Sequence, residues 1–501
     1  MAPSRTTANW RQIGLQNLAS GLGIILIAKF VYIFIPFANY AFDWDPSDGD
    51  FLNLVHRISA GLPLYSDWRS GHVLNLYMPL IHYLAWGGSN LGFDELRFVR
   101  ALNLSALLVA ISSVFFLTRR TFNDPKFGNG CGALGTIGFL VNWETFGNFA
   151  SFRPDPLLLA VSTLTFCAVT FNWGVWVTAG LCILAVLAKQ TGIAVVASVA
   201  VCFWMFNRSN FLPLCAAFIS LFGVVVVFCA ISGSALIWRS CFLDPNVYLV
   251  RTPEWESLWT LFRGLCNGKS FWIYLIAGFG AYASIAEKSR IGIICIIFLG
   301  SDAIYLVRTA ASPGAGVSYF WFNWFVCIIL AIQGSRFLAE RFGSATMITA
   351  LALALMVMDG KALLRLIVQP PKNLEDCTRI SLEHVSLIRS FSEQNGNWVT
   401  ERNGVALVKS GKMLDQEMCT FGTAASGTRG AEMATAFSKE LADGKYRFYQ
   451  RESQRTFPMP SGVDLVLNSK FRKVADSKLI DRGDSKSVEI LEFIPEPVQP
   501  H

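Results

Sequence analysis

The sequence predicts an α-helical polytopic membrane protein with about eleven transmembrane helices and a small C-terminal α/β domain. Three observations predict this fold class. Charged residues make up 15% of the chain, well below the roughly 25% that is usual for soluble domains. Apolar runs with short breaks follow one another over most of the sequence. From about Gln369 onward the composition changes to charged residues, proline pairs and strand-like runs.

The apolar runs give the predicted boundaries of the transmembrane spans. Several are shorter than the roughly 20 residues of a simple crossing, but polar ends at the interface can extend them. The predicted spans are Leu18–Tyr40, Phe98–Leu117, Cys131–Val141, Leu157–Phe171, Trp173–Ala188, Gly192–Phe206, Phe211–Ile231, Phe271–Ala286, Ile291–Val307, Phe320–Ile332 and Ser344–Met358. The first span has no small-residue cleavage site, which favours a retained helix over a signal peptide.

Basic residues gather in the loops on one side of these spans, and the positive-inside rule assigns that side to the cytoplasm. The residues are Arg5, Arg11, Arg119, Arg120, Lys126, Arg208, Lys288, Arg290, Arg336 and Arg341. We therefore expect a multi-pass protein of the plasma (inner) membrane with a cytoplasmic N-terminus. Residues 1–368 would form the transmembrane domain, with residues 41–97 as its first outer loop. Residues 369–501 would form an extracytoplasmic α/β domain.

Two features of the outer segments can be predicted further. Strand-like runs at Asn397–Lys409 and Val463–Leu467 indicate a sheet in the C-terminal domain. Four cysteines fall outside in this topology. The pairs Cys241–Cys266 and Cys377–Cys419 are therefore a hypothesis for disulfides in an oxidising compartment.

The first outer loop carries four aspartates within eight residues, from Asp43 to Asp50. Such a segment is either a solvated, turn-rich loop or a site where a carboxylate accepts a proton from an incoming hydroxyl. Apolar residues from Leu54 to Leu62 recur near the helical period. They predict an amphipathic helix at the membrane interface.

Two further motifs bring cations to the outer side. Arg153-Pro154-Asp155 lies between two spans, where an idle charge at membrane depth costs roughly 2.5–3.5 kcal/mol; alternatively, Asp155 only caps a helix. Lys189 ends an apolar run on the outer side, against the positive-inside trend. It can pair with a phosphate at the headgroup level, or it can extend to the interface as a snorkelling lysine.

A final group of polar residues lies near the ninth predicted span. Asp302 is inside the span and Arg308 is at its outer end. The segment Ser312–Tyr319 that follows is rich in glycine, which allows the backbone to approach a ligand closely. Asp302 either serves a functional path or pairs with a neighbouring cation.

Together these stretches resemble the GT-C superfamily of lipid-carrier-dependent glycosyltransferases. The branch is that of protein O-mannosyltransferases, aminoarabinose transferases and bacterial mannosyltransferase-like chains. The matching stretches are Asp48–Leu52, Gly61–Trp68, Arg153–Asp155, Leu187–Thr191, Gly314–Tyr319 and Val399–Leu407. The resemblance covers most of the chain, but its motifs are loose. Ser47 stands where many relatives have an acid, and Ser318 and Asn323 replace the usual Asn and Glu of the glycine-rich segment.

The resemblance implies an inverting transfer of sugar from a polyprenyl-phosphate carrier to a hydroxyl of a glycan, lipid or protein. Asp48 would be the general base, with Asp50 as the second candidate. The leaving phosphate would be stabilised by fixed polar groups. These groups are Lys189, Arg153, Arg308 and Gln190, with support from Asp155, Asp45 and Tyr319.

No cofactor is required in this scheme, because lysine and arginine can supply the positive charge. The alternative is a Mg²⁺ or Mn²⁺ ion held by Asp45, Asp48 and Asp50. The sequence has no long Lys/Arg run that would indicate a nucleic-acid partner. The partners expected are the lipid-linked donor, the acceptor and membrane lipid.

Two rival functions remain open on the sequence. A transporter or lipid flippase would share the many spans and use Asp155, Lys189 and Asp302 as a relay for ions or substrate. A non-catalytic scaffold with a binding tail would explain the C-terminal domain but not the charges within the membrane. The acidic first loop and the outer domain together favour the enzyme.

Overall fold

A computed structural model of the chain shows a predominantly helical protein with a small sheet near the C-terminus. It describes scattered positions between 21 and 45 and residues 48–67, 75, 77–120, 125–140, 151–231, 236–243, 271–309, 320–342, 374–392, 396–401, 405–409, 425, 430–453, 459–460, 462–481 and 484–495. The described positions between 21 and 39 are helical, in agreement with a helix at the first predicted span.

The helices before the C-terminal region are α1 (Asp48–Ser59), α2 (Leu80–Asn90), α3 (Glu95–Arg119), α4 (Pro125–Leu140), α5 (Asp155–Phe171), α6 (Val175–Ala188), α7 (Ile193–Phe206), α8 (Phe211–Ile231), α9 (Phe271–Ala286), α10 (Arg290–Thr309) and α11 (Trp321–Phe342). Helices α3 to α11 occupy the predicted spans. Helix α11 runs past the predicted end at Ile332, because polar Gln333 interrupts the apolar run without ending the helix. The span predicted at Ser344–Met358 lies outside the described residues, so the number of crossings stays a prediction.

Apolar side chains cover the outside of the helical region. On α8, Leu212, Ile219 and Val224 are each at least two-thirds exposed, which suits a surface in contact with lipid. Among the described residues, Glu95–Arg119 and Arg208–Val227 are each long and apolar enough to cross a membrane. The surface and the helix lengths agree with a membrane location.

Close helix packing builds the interior. Helices α9 and α11 approach at Gly280 and Gly334, where a Cβ on Gly280 would collide with the carbonyl oxygen of Leu330. The indole Nε1 of Trp324 donates to the carbonyl oxygen of Gly138 at 3.2 Å, which ties α11 to α4. One continuous apolar core runs through these helices into the C-terminal region.

The helices alternate in direction, so their ends form two opposite faces. Helix α3 runs from Glu95 to Arg119, a rise of about 36 Å, and α5 and α7 run in the same sense. At the far ends, Arg290 donates to Asn172 at 2.8 Å and lies over the ring of Phe206. We name this end, which carries Arg119, Arg120, Arg208 and Arg290, the arginine face.

The C-terminal elements are α12 (Leu374–Ser392), β1 (Trp398–Thr400), α13 (Val405–Lys409), α14 (Ala431–Ala442), β2 (Phe448–Glu452), α15 (Val463–Lys470), β3 (Phe471–Asp481) and β4 (Asp484–Phe493). The sheet order is β1-β2-β4-β3, with β1 parallel to β2 and the other pairs antiparallel. A small α/β unit is therefore present, as predicted.

The strand predicted at Val463–Leu467 is wrong, because these residues form the start of α15. Gly462 adopts a left-handed φ of 86° that turns the chain into the helix. Val463 and Leu467 are buried on one helical face, whereas Leu465 between them is 77% exposed. The run Asn397–Lys409 is a strand only at its start and ends in helix α13.

The C-terminal unit docks on the first outer loop. The Lys409 ammonium lies 2.7 Å from an Asp94 carboxylate oxygen, and also over the ring of Phe42. The hydroxyls of Tyr40 and Ser381 are 3.1 Å apart. The division at residue 368/369 stays a prediction, as do both disulfides, because Cys266 and Cys419 lie outside the described residues.

Candidate functional site

The first outer loop turns inward at its acidic motif. Asp48 begins α1 and is fully buried. One carboxylate oxygen accepts from the backbone amide of Phe152 at 2.7 Å. The other accepts from the Arg100 guanidinium at 3.0 Å and from the backbone amide of Asp45 at 3.2 Å. The solvated-loop alternative therefore does not apply to Asp48.

Arg100 is the site residue that the sequence analysis missed. It lies on α3, is buried, and donates to the carbonyl oxygens of Tyr40 and Phe42 as well as to Asp48. These three hydrogen bonds join α3 to the end of the first span and to the first outer loop. A signal was available, since a charged residue within a predicted span is costly unless it is paired.

Arg153 forms a second ion pair with the same loop. One of its terminal nitrogens lies 2.9 Å from an Asp45 carboxylate oxygen. Burial alone would lower the pKa of this guanidinium, but the charge of Asp45 and the nearby Tyr77 raise it above the ordinary value. The Nε of Arg153 is buried without a hydrogen-bond partner among the described residues, so this side chain has a donor to offer.

Lys189 forms the third ion pair. The chain leaves helical geometry between α6 and α7, where Lys189 has extended dihedrals and a 3₁₀ turn, Gln190–Gly192, follows. The ammonium lies 2.7 Å from an Asp155 carboxylate oxygen, and both side chains are buried. Lys189 is thus not a snorkelling lysine. Pro154 is the N-cap of α5, and Asp155 in the first turn turns its carboxylate to Lys189.

Aromatic rings form a wall beside Asp48. The ring of Phe51 stacks on those of His82 and Phe152, each with ring centroids 5.3 Å apart. Burial lowers the pKa of His82 to about 3, so this imidazole is neutral near pH 7. Helix α1 is buried in the protein over its first two turns. Its predicted place at the membrane interface stays a prediction.

The three ion pairs bring together residues from distant stretches of the chain. The amide of Phe152 reaches Asp48, the next residue pairs with Asp45, and Asp155 pairs with Lys189. The cations differ in access: the Arg153 side chain is 23% exposed, against 1% for Arg100 and 4% for Lys189. A preformed acidic and basic cluster with one accessible guanidinium can attract an anion and hold it at a fixed place.

The structure describes less of the surroundings of the other predicted site residues. Asp50 is buried on α1 and is the most accessible of the described acidic residues of the motif. Gln190 follows Lys189 in the 3₁₀ turn. Arg308 lies in the last turn of α10, and nothing is described of its side chain; Tyr319 lies outside the described residues. One carboxylate oxygen of Asp302 has no hydrogen-bond partner in the part of the chain that the structure describes.

The described residues contain no group of three or more His, Cys, Asp or Glu side chains arranged to hold a metal ion. One carboxylate oxygen of Asp45 lies near Arg153 and one of Asp48 lies near Arg100. The expectation that no metal ion is required stays a prediction. The prediction of Asp48 as the general base stays a prediction, but its three donors favour a role in positioning. The assignment of Lys189 and Arg153 to the donor phosphate likewise stays a prediction.

No protein-family model matches the sequence, and no curated protein matches it. Among solved structures, the chain is similar to ArnT from Cupriavidus metallidurans bound to undecaprenyl phosphate. The identity is 12%, the TM-score is 0.57, and the match covers 94% of this chain and 98% of that chain. The apo state of the same protein matches with a TM-score of 0.53 at the same identity and coverage.

A third structure, the apo oligosaccharyltransferase of Archaeoglobus fulgidus, aligns over 90% of this chain and 70% of that one. Its TM-score of 0.45 is too low to carry an argument. The two ArnT structures match nearly end to end, the C-terminal unit included. The predicted fold is thereby confirmed: this chain has the fold that is seen in the two ArnT structures.

Proposed function

We propose that this protein is an inverting glycosyltransferase that moves a sugar from a polyprenyl-phosphate carrier to an acceptor hydroxyl. The observation that carries the proposal is the convergence of the Asp45–Arg153, Asp48–Arg100 and Asp155–Lys189 ion pairs. Buried charges at the ends of membrane helices are costly without a task. The ArnT structure of the same fold contains undecaprenyl phosphate, a lipid of the carrier class.

Arg153 is the first contact of the donor phosphate. It is the most exposed of the three cations, and its unpartnered Nε adds a donor beside the nitrogen that faces Asp45. A guanidinium presents two parallel N–H groups to phosphate oxygens, which fixes the leaving group in orientation. The Lys189 ammonium is buried in its ion pair with Asp155, and it adds a second positive charge behind the guanidinium of Arg153.

Asp50 is the general base, and Asp48 is a positioning residue. The carboxylate of Asp48 already accepts from Arg100, Phe152 and Asp45, which fills most of its acceptor sites. Asp50 stands two positions further along α1, about 200° around the helix, and is 7% exposed against 0% for Asp48. Asp48 and Arg100 thus hold the helix that presents Asp50.

The chemistry balances without a cofactor. The acceptor oxygen forms a bond to the anomeric carbon, and the bond from that carbon to the phosphate oxygen breaks with its electron pair going to the phosphate. The hydroxyl proton passes to Asp50. The departing polyprenyl phosphate gains a negative charge, so a fixed cation stabilises the transition state more than the bound donor.

The arginine face supports the proposed orientation. Its four arginines lie at the end of the helices opposite the three ion pairs, and cytoplasmic ends carry the excess of basic residues. The site and the C-terminal unit are then extracytoplasmic, at the plasma (inner) membrane. Donor and acceptor would meet at the outer leaflet.

The experiment is sugar transfer by purified protein in detergent, with a panel of labelled polyprenyl-phosphate sugars and a cell-envelope acceptor fraction. Asp50→Asn is expected to lower turnover by about 10²–10⁴-fold with donor binding retained. Asp67→Asn is the matched control, because this aspartate lies in the same loop, is partly exposed, and pairs with Arg239 at 3.3 Å. Its activity should equal that of the unmodified protein.

Three outcomes would overturn the proposal or a part of it. Normal turnover of Asp50→Asn would place the base elsewhere. If no sugar is transferred but labelled lipid moves across sealed vesicles, the transporter alternative replaces the enzyme. Loss of activity in chelator, restored by Mg²⁺ or Mn²⁺, would show that the acidic loop works with a metal ion.

A further inference from the structure

A cavity lies between α3 and α5, at the end of the helical region opposite the three ion pairs. Its volume is about 820 Å³, which is within the usual range for ligand pockets. It extends along α3 from Leu108 to Arg120, a rise of about 18 Å and so roughly the depth of one leaflet. The residues that line its length are apolar or small, among them Val109, Leu164 and Cys167.

Two arginines and two aromatic side chains surround the end of this cavity at the arginine face. The Arg120 guanidinium lies 4.8 Å from the ring centroid of Phe171, and Trp173 lines the same end. Within the part of the chain that the structure describes, neither Arg119 nor Arg120 is ion-paired with a carboxylate. The site thus combines an apolar channel of leaflet depth with two available cations at the headgroup level.

We propose that this groove binds an anionic phospholipid of the leaflet on the arginine face. An acyl chain would lie along α3 and α5, and the headgroup phosphate would rest on Arg119 and Arg120. Charge complementarity carries this assignment, because basic pockets between transmembrane helices at the cytoplasmic side favour anionic headgroups. Trp173 is at the depth where indoles prefer to lie. The inference rests on the membrane location and is independent of the transfer chemistry.

The test is native mass spectrometry of the delipidated protein in detergent, titrated with phosphatidylglycerol or with phosphatidylcholine of the same acyl chains. The first bound phosphatidylglycerol should be favoured about 30-fold, from roughly 1 kcal/mol, or about fivefold, per arginine. The double variant Arg119→Gln/Arg120→Gln should lose this preference. Arg208→Gln is the matched control, because Arg208 lies on the same face over the ring of Trp204 but outside the groove.

A second variant keeps the proposal falsifiable if the double variant does not fold. Ser112 is exposed and lines the groove, so Ser112→Trp should fill it and reduce binding of both lipids. Equal binding of the two lipids, or an equal loss in Arg208→Gln, would overturn the proposal. So would tight binding of undecaprenyl phosphate that Ser112→Trp abolishes, because the groove would then belong to the carrier.

Discussion

Replacing Arg100 by glutamine tests whether the Asp48–Arg100 pair organises the site. The side chains of both residues are at most 1% exposed, and the shortest distance between guanidinium and carboxylate is 3.0 Å. Removal of one partner leaves the other charge buried and uncompensated, which costs about 3–5 kcal/mol. Arg100→Gln also weakens the contacts to the carbonyl oxygens of Tyr40 and Phe42. We therefore expect a loss of stability at the upper end of that range.

A double-mutant cycle separates the pair from its surroundings. Asp48→Asn alone should also cost about 3–5 kcal/mol, whereas the double variant Asp48→Asn/Arg100→Gln should lose clearly less than the sum, with a coupling of up to about 3 kcal/mol. The measurement is equilibrium denaturation in mixed micelles. Arg208→Gln, which is exposed, should change stability by no more than about 0.5 kcal/mol. Additive effects, or an Arg100→Gln protein as stable as the unmodified one, would refute the reasoning.

Three further outcomes are expected. Arg153→Gln should reduce kcat/KM for the lipid-linked donor by roughly tenfold to a hundredfold while folding stays intact, because one charged hydrogen bond is worth about 1.5–3 kcal/mol; an unchanged value would remove Arg153 from the phosphate site. His82 has a folded pKa of about 3 against 6.5 unfolded, so the unfolded chain binds the proton first as pH falls. Stability should thus drop below about pH 6.5, by roughly 2 kcal/mol at pH 5, and His82→Phe should reduce this drop whereas His56→Gln should not. Lys409→Gln should loosen the C-terminal unit and speed its proteolysis relative to Lys439→Gln.

Membrane helices were the most predictable part of the fold. Helix α8 begins and ends at the predicted residues, and α9 does too, because long apolar runs can satisfy their backbone only as helices in lipid. The C-terminal unit was harder. Val463–Leu467 has strand-like composition but forms a helix. The helix begins after Gly462, and it buries Val463 and Leu467, which are one turn apart. In this segment, packing against the sheet outweighs the local strand propensity. The sequence does not show where that sheet lies.

The candidate site was predictable in its members but not in its pairing. The cost of idle charges at membrane depth points to Arg153 and Asp155, and a position against the positive-inside trend points to Lys189. The sequence could not show which acid meets which base, because pairing depends on how four separate helices pack. The resemblance implies Asp48 as the general base, whereas its three hydrogen-bond donors in the structure favour a positioning role. Arg100 is hard to recognise as a site residue from the sequence, because the apolar residues around it are typical of an ordinary membrane span.

Two of the donors to Asp48 are backbone amides, those of Asp45 and Phe152, and the amide of Phe152 links two outer loops. Any residue except proline can supply that N–H, so substitutions at position 152 leave the link between the two outer loops in place. A fold held together by backbone hydrogen bonds of this kind can be kept while many of its amino acids change. The nearly complete overlap with ArnT at 12% identity is what such tolerance would produce.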